Sequence, residues 1–373
     1  MIMEETVERR VPKLRLALLL GSLSMLYGEV YAGSSTFWMV GAWSLMITFP
    51  LYTFHSLFYL NLAQRTKRTT LPHLYFWGLL FALYEAPITK VLWSGFLGTT
   101  GPGWGLVSGV AIMEFMIIVL FWHPLMSFMM PILSLQMILQ SAAHDGSAVF
   151  PSNLPLLTWN GKSKAFFIMI TVITSFLMTY NDITIGLLPD LVLAPSIALI
   201  VVIKVAIPTK GKGIRIQAFR FGNVGFTIII MYMVALYIWA VPNIIPMTLV
   251  MIVATQPGSL FQGIITLAVF AAIVCIVLGV SGPDALADAI NPTVLPDAST
   301  KPERLMTTRH LVGLWGLMAL LLLLWSMLLA VFAVLALVDI AFGICLPCLG
   351  VTFIIGMSIG LYRNKKAKMI RKS

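Results

Sequence analysis

The sequence predicts an all-α protein, a bundle of transmembrane helices, and three observations lead to that fold class. Hydrophobic residues make up 59% of the 373 residues, whereas charged residues make up only 10%. A soluble globular domain carries about a quarter charged residues, because water must solvate its surface. The mean hydropathy is +0.96, far above that of a water-soluble chain. Apolar runs long enough to cross a bilayer recur throughout, so we predict a polytopic protein of about ten spans, with one or two re-entrant or broken segments.

Each predicted span is an apolar run near the length that crosses a hydrocarbon core of about 30 Å. The runs lie at residues 14–32, 37–61, 73–96, 105–122, 164–180, 186–207, 222–241, 259–280, 311–333 and 340–362. The basic clusters that separate them lie at residues 9–15, 65–68, 162–164, 210–220 and 363–372. Cytoplasmic loops carry an excess of Lys and Arg, and ten crossings place every cluster on one side. We therefore expect a cell-membrane protein with both termini in the cytoplasm.

The domain organisation follows from the lack of a long hydrophilic stretch. We predict a single transmembrane domain over residues 1–373, with 1–160 and 161–373 as an alternative division into halves. Residues 281–310 read as a cytoplasmic loop, and residues 363–373 as a basic cytoplasmic tail. Residues 30–32 resemble a signal-peptidase site, but a second apolar run follows within a few residues, so an uncleaved first span is favoured.

Three regions depart from regular spans. Residues 123–160 begin and end on the cytoplasmic side in this assignment, so they make either zero or two crossings, as a re-entrant segment or a helical hairpin. Residues 242–258 contain Pro242, Pro246 and Pro257, each of which removes a backbone donor, and a continuous helix is not expected there. Asp339 is the one charged residue between 311 and 362 and marks the expected outer turn of a hairpin.

The candidate site is a set of acidic residues within apolar runs. Glu29, Glu85 and Glu114 fall in the first, third and fourth spans, at similar depths by a rise of 1.5 Å per residue. A carboxylate at the centre of a bilayer costs about 2.5–3.5 kcal/mol, so each needs a partner, water or a proton. We expect Glu85 to face the bundle interior, with Glu29 or Glu114 in reach directly or through one water. Lys90 and His55 are further candidates for binding a substrate or a proton.

These residues support several functions. The leading prediction is a small-molecule or ion transporter, or permease, with a carboxylate site in the first four spans. One alternative is an intramembrane enzyme acting on a lipid or isoprenoid substrate, with the same carboxylates as acid and base or as metal ligands. A non-catalytic subunit of a membrane complex is the third. The acids can also be purely structural, as protonated groups that bond a neighbouring helix.

The segment around Glu29 reads YGEVYAGSSTFW and the segment around Glu85 reads FALYEAPITKVLW. The E-V-x-A-G-S-S stretch after the first span resembles a group of uncharacterised prokaryotic multi-pass membrane proteins. The resemblance covers about the first hundred residues and implies a multi-pass membrane fold, without an activity. Thr36 and Phe37 follow the stretch where those proteins carry Pro, and Glu85 stands alone where they carry a pair.

Two other patterns carry possible chemistry. Glu85, Lys90, His123 and His144 resemble pieces of the CAAX-type intramembrane protease signature, but its second Glu is missing and its basic residue is displaced by one position. Cys345 and Cys348 have the spacing of a redox pair. One helical turn apart in an apolar run, they also read as simple packing residues. No pattern identifies a cofactor or predicts a metal site.

The predicted partners follow from the distribution of charge. The net charge is +10. The basic residues stand in short clusters between spans, which does not suit a nucleic-acid groove. Basic turns beside a cytoplasmic leaflet attract anionic headgroups, by about 1 kcal/mol for each Lys or Arg. We therefore expect the lipid bilayer and its anionic headgroups as partners, and no nucleic acid.

Overall fold

The computed structural model describes residues 13–35, 37–86, 88–89, 91–94, 106–107, 110–143, 148–184, 187–207, 214, 216–253, 258–280, 283, 305–332 and 344–370. Most of these residues are helical. The described part of the chain contains ten long helical segments, here α1 to α10. Lys90, His144 and Asp339, each part of a prediction from the sequence, lie outside the described residues.

The first four helices each contain an irregular turn. α1 is Lys13–Met25 and continues as a π-helical turn, Leu26–Val30. α2 begins with a π-helical turn, Ser44–Thr48, and continues as Phe49–Arg65. α3 is Leu71–Ala82 and closes with the 3-10 turn Leu83–Glu85. α4 consists of Ile112–Glu114, a π-helical stretch Phe115–Met129, and Met130–Ala143.

The remaining long helices are α5 (Gly161–Thr184), α6 (Pro189–Ala206), α7 (Asn223–Val253), α8 (Gly258–Cys275, continued by the π-helical turn Ile276–Val280), α9 (Thr308–Phe332) and α10 (Leu346–Ile370). The short elements are the helical turns Val91–Ser94 and Leu154–Leu157, the 3-10 turns Pro151–Asn153 and Ile216–Phe219, and two antiparallel strands, Leu106–Val107 and Val110–Ala111. The residues predicted as the start of a basic tail continue α10 as helix.

Several helices have the length and apolarity of membrane spans. Among the described residues five qualify: Ile112–Ser141, Gly161–Ile183, Pro189–Ala206, Thr308–Leu329 and Leu346–Lys366. Two shorter apolar helices, Asn223–Ile238 and Thr266–Gly279, accompany them. The predicted membrane helix bundle is therefore confirmed as a fold class, whereas the count of ten crossings is not.

The interpretation of residues 123–160 as a hairpin or re-entrant segment is wrong for its first half. α4 runs without a break from residue 112 to residue 143, so the predicted fourth span and the apolar run after it are one helix. The predicted end of the fourth span at residue 122 is absent, and the π-helical stretch Phe115–Met129 accommodates Pro124 within the helix. A wider helical turn offers other carbonyl and amide pairings around the missing proline donor.

The expected break after Pro242 is also absent. α7 continues through Pro242 and Pro246 to Val253, a helix of 31 residues. Proline is tolerated in membrane helices, because local adjustments and neighbouring helices satisfy the freed backbone groups. Pro257 lies outside the described residues.

Basic side chains gather at one end of the bundle, here called the basic end. Lys13 donates to the carbonyl of Ala218, and Arg65 Nη2 donates to that of Phe221 at 2.9 Å. Gln64 Nε2 donates to the carbonyl of Ile216 at 3.0 Å. The start of α1, the end of α2 and residues 216–221 therefore share one end, as the charge pattern predicted for the turns at 65–68 and 210–220.

The opposite end, here called the acidic end, holds the acidic residues of the described part of the chain: Glu29, Glu85, Glu114, Asp182 and Asp190. Each lies in or near the first or last turn of its helix, at the helix terminus that is farther from the basic end. α3 and α4 meet closely between the two ends, because a Cβ on Gly78 would lie 2.7 Å from the Cα of Pro124. Only glycine allows these two backbones to come so close together.

Candidate functional site

A buried, hydrogen-bonded pair of ionisable side chains lies at the centre of the candidate site. Glu85, at the end of α3, lies against His123 of α4, with 2.7 Å between Oε1 and Nε2. Their residue exposures are 6% and 4%, so water screens this pair little. Ser127 Oγ lies 2.7 Å from His123 Nδ1, one turn along α4. Thr89 Oγ1 donates to the second carboxylate oxygen, Oε2, of Glu85.

Two tyrosines extend the hydrogen bonds from this pair to a second carboxylate. The Tyr84 hydroxyl lies 3.3 Å from His123 Nε2 and 3.1 Å from the hydroxyl of Tyr52. Tyr52 donates to Glu29 Oε1 at 2.5 Å. We call the set Glu29, Tyr52, Tyr84, His123 and Glu85 the relay. It draws one or two residues from each of the first four helices.

The relay is most exposed at Glu29. Glu29 is half-buried, whereas Tyr52 and Tyr84 are 1% and 3% exposed. Ser34 and Ser35, in the turn after α1, donate to Glu29 Oε2 at 2.7 and 2.6 Å. Glu29 therefore connects the interior groups to the surface of the acidic end.

The irregular turns of the helices place these side chains. α3 ends at Glu85, although Ala86 keeps right-handed helical angles (φ −81°, ψ −59°). Pro87 follows in the sequence and has no backbone N–H with which to continue the helix. Glu29 lies in the π-helical turn of α1, and His123 and Ser127 lie in the π-helical stretch of α4. Such stretches reorient side chains and recur at functional sites.

Gly28 makes room for the relay beside α1. A Cβ on Gly28 would lie 2.5 Å from a ring carbon of Tyr52 and 2.7 Å from Ser127 Oγ. The Gly28 carbonyl also accepts a 2.8 Å hydrogen bond from Trp122 Nε1 of α4. Close packing and this bond hold α1, α2 and α4 in register around the site.

His55, a sequence candidate, lies beside the relay without joining its hydrogen bonds. It is fully buried one turn after Tyr52, with its ring centroid 5.6 Å from that of Tyr84. Nδ1 pairs with the Leu51 carbonyl at 2.8 Å, and Nε2 pairs with the Tyr237 hydroxyl at 3.1 Å. A carbonyl only accepts, so Nδ1 carries a hydrogen, and in the neutral ring Tyr237 donates to Nε2.

Among the described residues, the other sequence candidates form no hydrogen bond with the relay. Glu114 is 5% exposed, and its Oε2 has no hydrogen-bond partner among the described residues. The predicted approach of Glu29 to Glu85, direct or through one water, is not what the structure has: three side chains, Tyr52, Tyr84 and His123, stand between them. Cys345 and Cys348 are exposed free thiols at the start of α10. Lys90 lies outside the described residues.

Sequence reasoning named Glu29, Glu85 and, within a protease-like pattern, His123, but it missed both tyrosines of the relay and Ser127. The acids were visible because a charge in an apolar run stands out, but Tyr52 and Tyr84 are common residue types in membrane helices. His123 and Ser127 have the i,i+4 spacing of one helix face, which is a usable signal when both are polar. Asp182, assigned to a loop between spans, proves fully buried near the end of α5.

The arrangement can hold and move protons. Ser127 can donate to Nδ1 of a neutral His123 or accept from Nδ1 of the imidazolium, because a hydroxyl is both donor and acceptor. His123 can therefore gain a proton without losing a hydrogen bond. Tyr52 and Tyr84 each offer a hydroxyl that accepts on one side and donates on the other. No group of three His, Cys, Asp or Glu side chains in the described part of the chain could hold a metal ion.

The fold and the site define a class, an integral membrane helix bundle with a buried chain of ionisable groups. The chain belongs to an uncharacterized membrane protein family, whose model matches residues 18–359. An uncharacterized protein of Archaeoglobus fulgidus is 33% identical over 152 residues, which is 40% of this chain and 45% of that relative. The match thus spans less than half of the relative's length. No solved structure matches.

Proposed function

We propose that this integral membrane protein is a proton-coupled transporter, or permease, for a small molecule or ion, with the relay as its proton-handling site. One observation carries the proposal: a chain of hydrogen bonds links a half-buried carboxyl, Glu29, to a buried one, Glu85. Ionisable groups inside a membrane are costly to insert and typically mark ion pathways or proton relays.

The contacts of Glu85 support its role as the interior proton site. Its two oxygens bond His123 and Thr89, so the carboxylate is satisfied while His123 is neutral and is further stabilised when His123 is protonated. Charge-assisted bonds of this kind are stronger than neutral ones. The pair can therefore take up one proton within an apolar surrounding.

Proton flux into liposomes tests the proposal. The purified protein is reconstituted with the pH-sensitive dye pyranine in the lumen, and an external acid pulse is applied under a potassium clamp. We expect faster acidification than in empty liposomes, and a reduction by about tenfold or more in Glu85→Gln, a loss of about 1.4 kcal/mol per factor of ten. The amide preserves the shape of the side chain.

Glu114→Gln is the matched control, because it changes another buried glutamate that is outside the relay. Its flux should stay near that of the unmodified protein. Acidification no faster than in empty liposomes, or equal flux in Glu85→Gln and the unmodified protein, would overturn the proposal.

A second candidate function rests on Ser127, His123 and Glu85. Hydroxyl, imidazole and carboxylate follow one another at 2.7 Å each, the order of groups in a serine hydrolase triad. An intramembrane hydrolase acting on a lipid would use Ser127 as the nucleophile. Ser127 is fully buried against Gly28, which leaves little room for a substrate, and this favours transport. Covalent labelling of Ser127 by a fluorophosphonate would favour the hydrolase.

The orientation in the membrane is part of the proposal. The basic end holds Lys13, Arg15, Arg65 and Arg68, and cytoplasmic loops are enriched in such residues. We place the basic end, with both chain termini, on the cytoplasmic face of the cell membrane, in contact with anionic headgroups. The acidic end and Glu29 then face outwards.

A further inference from the structure

A second buried carboxyl lies outside the relay, at Asp182 near the end of α5. Its side chain is 0% exposed, and neither carboxylate oxygen has a hydrogen-bond partner among the described residues. An unpaired carboxylate removed from water costs several kcal/mol, of the order that ions are paired to avoid. Burial of a neutral side chain at this position would cost less free energy. We therefore expect the Asp182 carboxylate to have a binding partner.

Asp182 lies where the carboxyl-terminal ends of two helices meet. Asn181 Nδ2 donates to the carbonyl of Ala32 at 2.6 Å, which joins the last turn of α5 to the turn after α1. Gly33, in that turn, has φ +67°, and a Cβ on it would lie 3.3 Å from Asp182 Oδ1. The turn therefore runs directly beside the unpartnered carboxylate.

The electrostatics of this junction favour a cation. The carboxyl-terminal end of a helix carries about half a negative charge. This charge remains although the carbonyls of Glu29, Val30 and Ala32 accept hydrogen bonds from Ser34, Gly33 and Asn181. Two such ends and one carboxylate create a negative site. The basic residues of the described part of α1 and α2, such as Lys13 and Arg65, lie at the other end of the bundle.

We propose that Asp182 binds Na⁺ at the junction of α1 and α5. A single buried carboxylate close to the carboxyl-terminal ends of two helices carries one negative charge, which suits a monovalent hard cation, and helix ends of this kind hold coupling ions in membrane proteins. A divalent ion would require more charged ligands, and the described residues gather no such group here. The proposal concerns ion binding alone and is independent of proton movement through the relay.

Thermal unfolding in detergent and direct binding of ²²Na⁺ test the site without an activity measurement. Unfolding is compared in NaCl and in choline chloride at equal ionic strength. We expect saturable binding of one Na⁺ per chain and a rise of the unfolding midpoint of about 3 °C or more in Na⁺. Equal midpoints in the two salts, with no saturable ²²Na⁺ binding, would overturn the proposal whatever the variants show.

Asp182→Asn should lose both the binding and the sodium-dependent rise, because it keeps the shape and removes the charge. Asp190→Asn is the matched control, an aspartate at the same end of the bundle that is half-buried in the first turn of α6. It should retain both effects. Asp182→Ser serves if Asp182→Asn does not fold, and persistence of Na⁺ binding in either Asp182 variant would contradict the assignment.

Discussion

α4 and α10 are both long apolar helices, yet their surroundings differ sharply. Of the most apolar stretch within Ile112–Ser141, 89% is buried inside the protein, against 22% for Leu346–Lys366. The outer helices present large side chains such as Met327 and Val205, which are 70% and 74% exposed. Hydropathy alone therefore does not distinguish a helix at the centre of the bundle from one that faces lipid.

The distinction lies in where the polar groups are. α4 carries His123, Ser127, Ser134 and Gln136, all buried and hydrogen-bonded. Such groups are satisfied only inside protein, because lipid offers no partner. A helix with polar residues along its membrane-spanning length is therefore expected at the centre of the bundle. α10, whose polar residues concentrate towards its basic end, can remain at the periphery.

The largest expected effect separates the two ends of the bundle. In a background with Cys275, Cys345 and Cys348 changed to Ser, Lys67→Cys should react with a membrane-impermeant maleimide only after the cells are opened. Val40→Cys, 82% exposed at the acidic end, should react in intact cells. Reaction of Lys67→Cys in intact cells would reverse the proposed orientation.

Packing density provides the next contrast. Gly78→Ala forces a methyl group against the backbone of Pro124, at 2.7 Å, and should destabilise the protein by about 1–3 kcal/mol, as overpacking does. Gly316→Ala, in α9, meets nothing within 4 Å. It should leave stability within about 1 kcal/mol of the unmodified protein, in the stabilising direction. Unfolding midpoints in detergent measure both, and equal effects would mean that α3 and α4 do not meet as described.

A hydroxyl deletion sharpens the boundary of the relay. Tyr52→Phe removes the link between Tyr84 and Glu29 and should slow proton flux by about tenfold, or about 1.4 kcal/mol. Tyr237→Phe removes the partner of His55 but no member of the relay, so its flux should be unchanged. The liposome assay compares them, and a larger loss in Tyr237→Phe would move the pathway to His55.

The smallest effect is expected at the periphery. Cys345 and Cys348 are exposed free thiols, and a double change to Ser should alter stability by less than about 0.5 kcal/mol. Proton flux should also be unchanged. The redox interpretation of this pair would be restored if dithiothreitol changed the flux of the unmodified protein but not that of the double variant.

Sequence reasoning found the helical class and the interior acids because both are one-dimensional signals. A run of apolar residues and a charge within it can be counted along the chain. The continuity of α4 could not be read, because Pro124 breaks a regular helix and only the π-helical geometry shows how it is accommodated. The relay could not be read either, since its bonds depend on how four helices are rotated about their axes.

Both ends of the relay lie towards the acidic end of the bundle. Glu29 bonds the turn after α1, while Glu85 bonds Thr89, an exposed residue beyond α3. A proton that travels the full length of the relay therefore does not cross the bilayer. Crossing requires the helices themselves to move, so the protein should turn over like a carrier, with a flux that saturates as proton concentration rises. An open pore would instead conduct in proportion to the gradient, so the dependence of flux on proton concentration distinguishes the two.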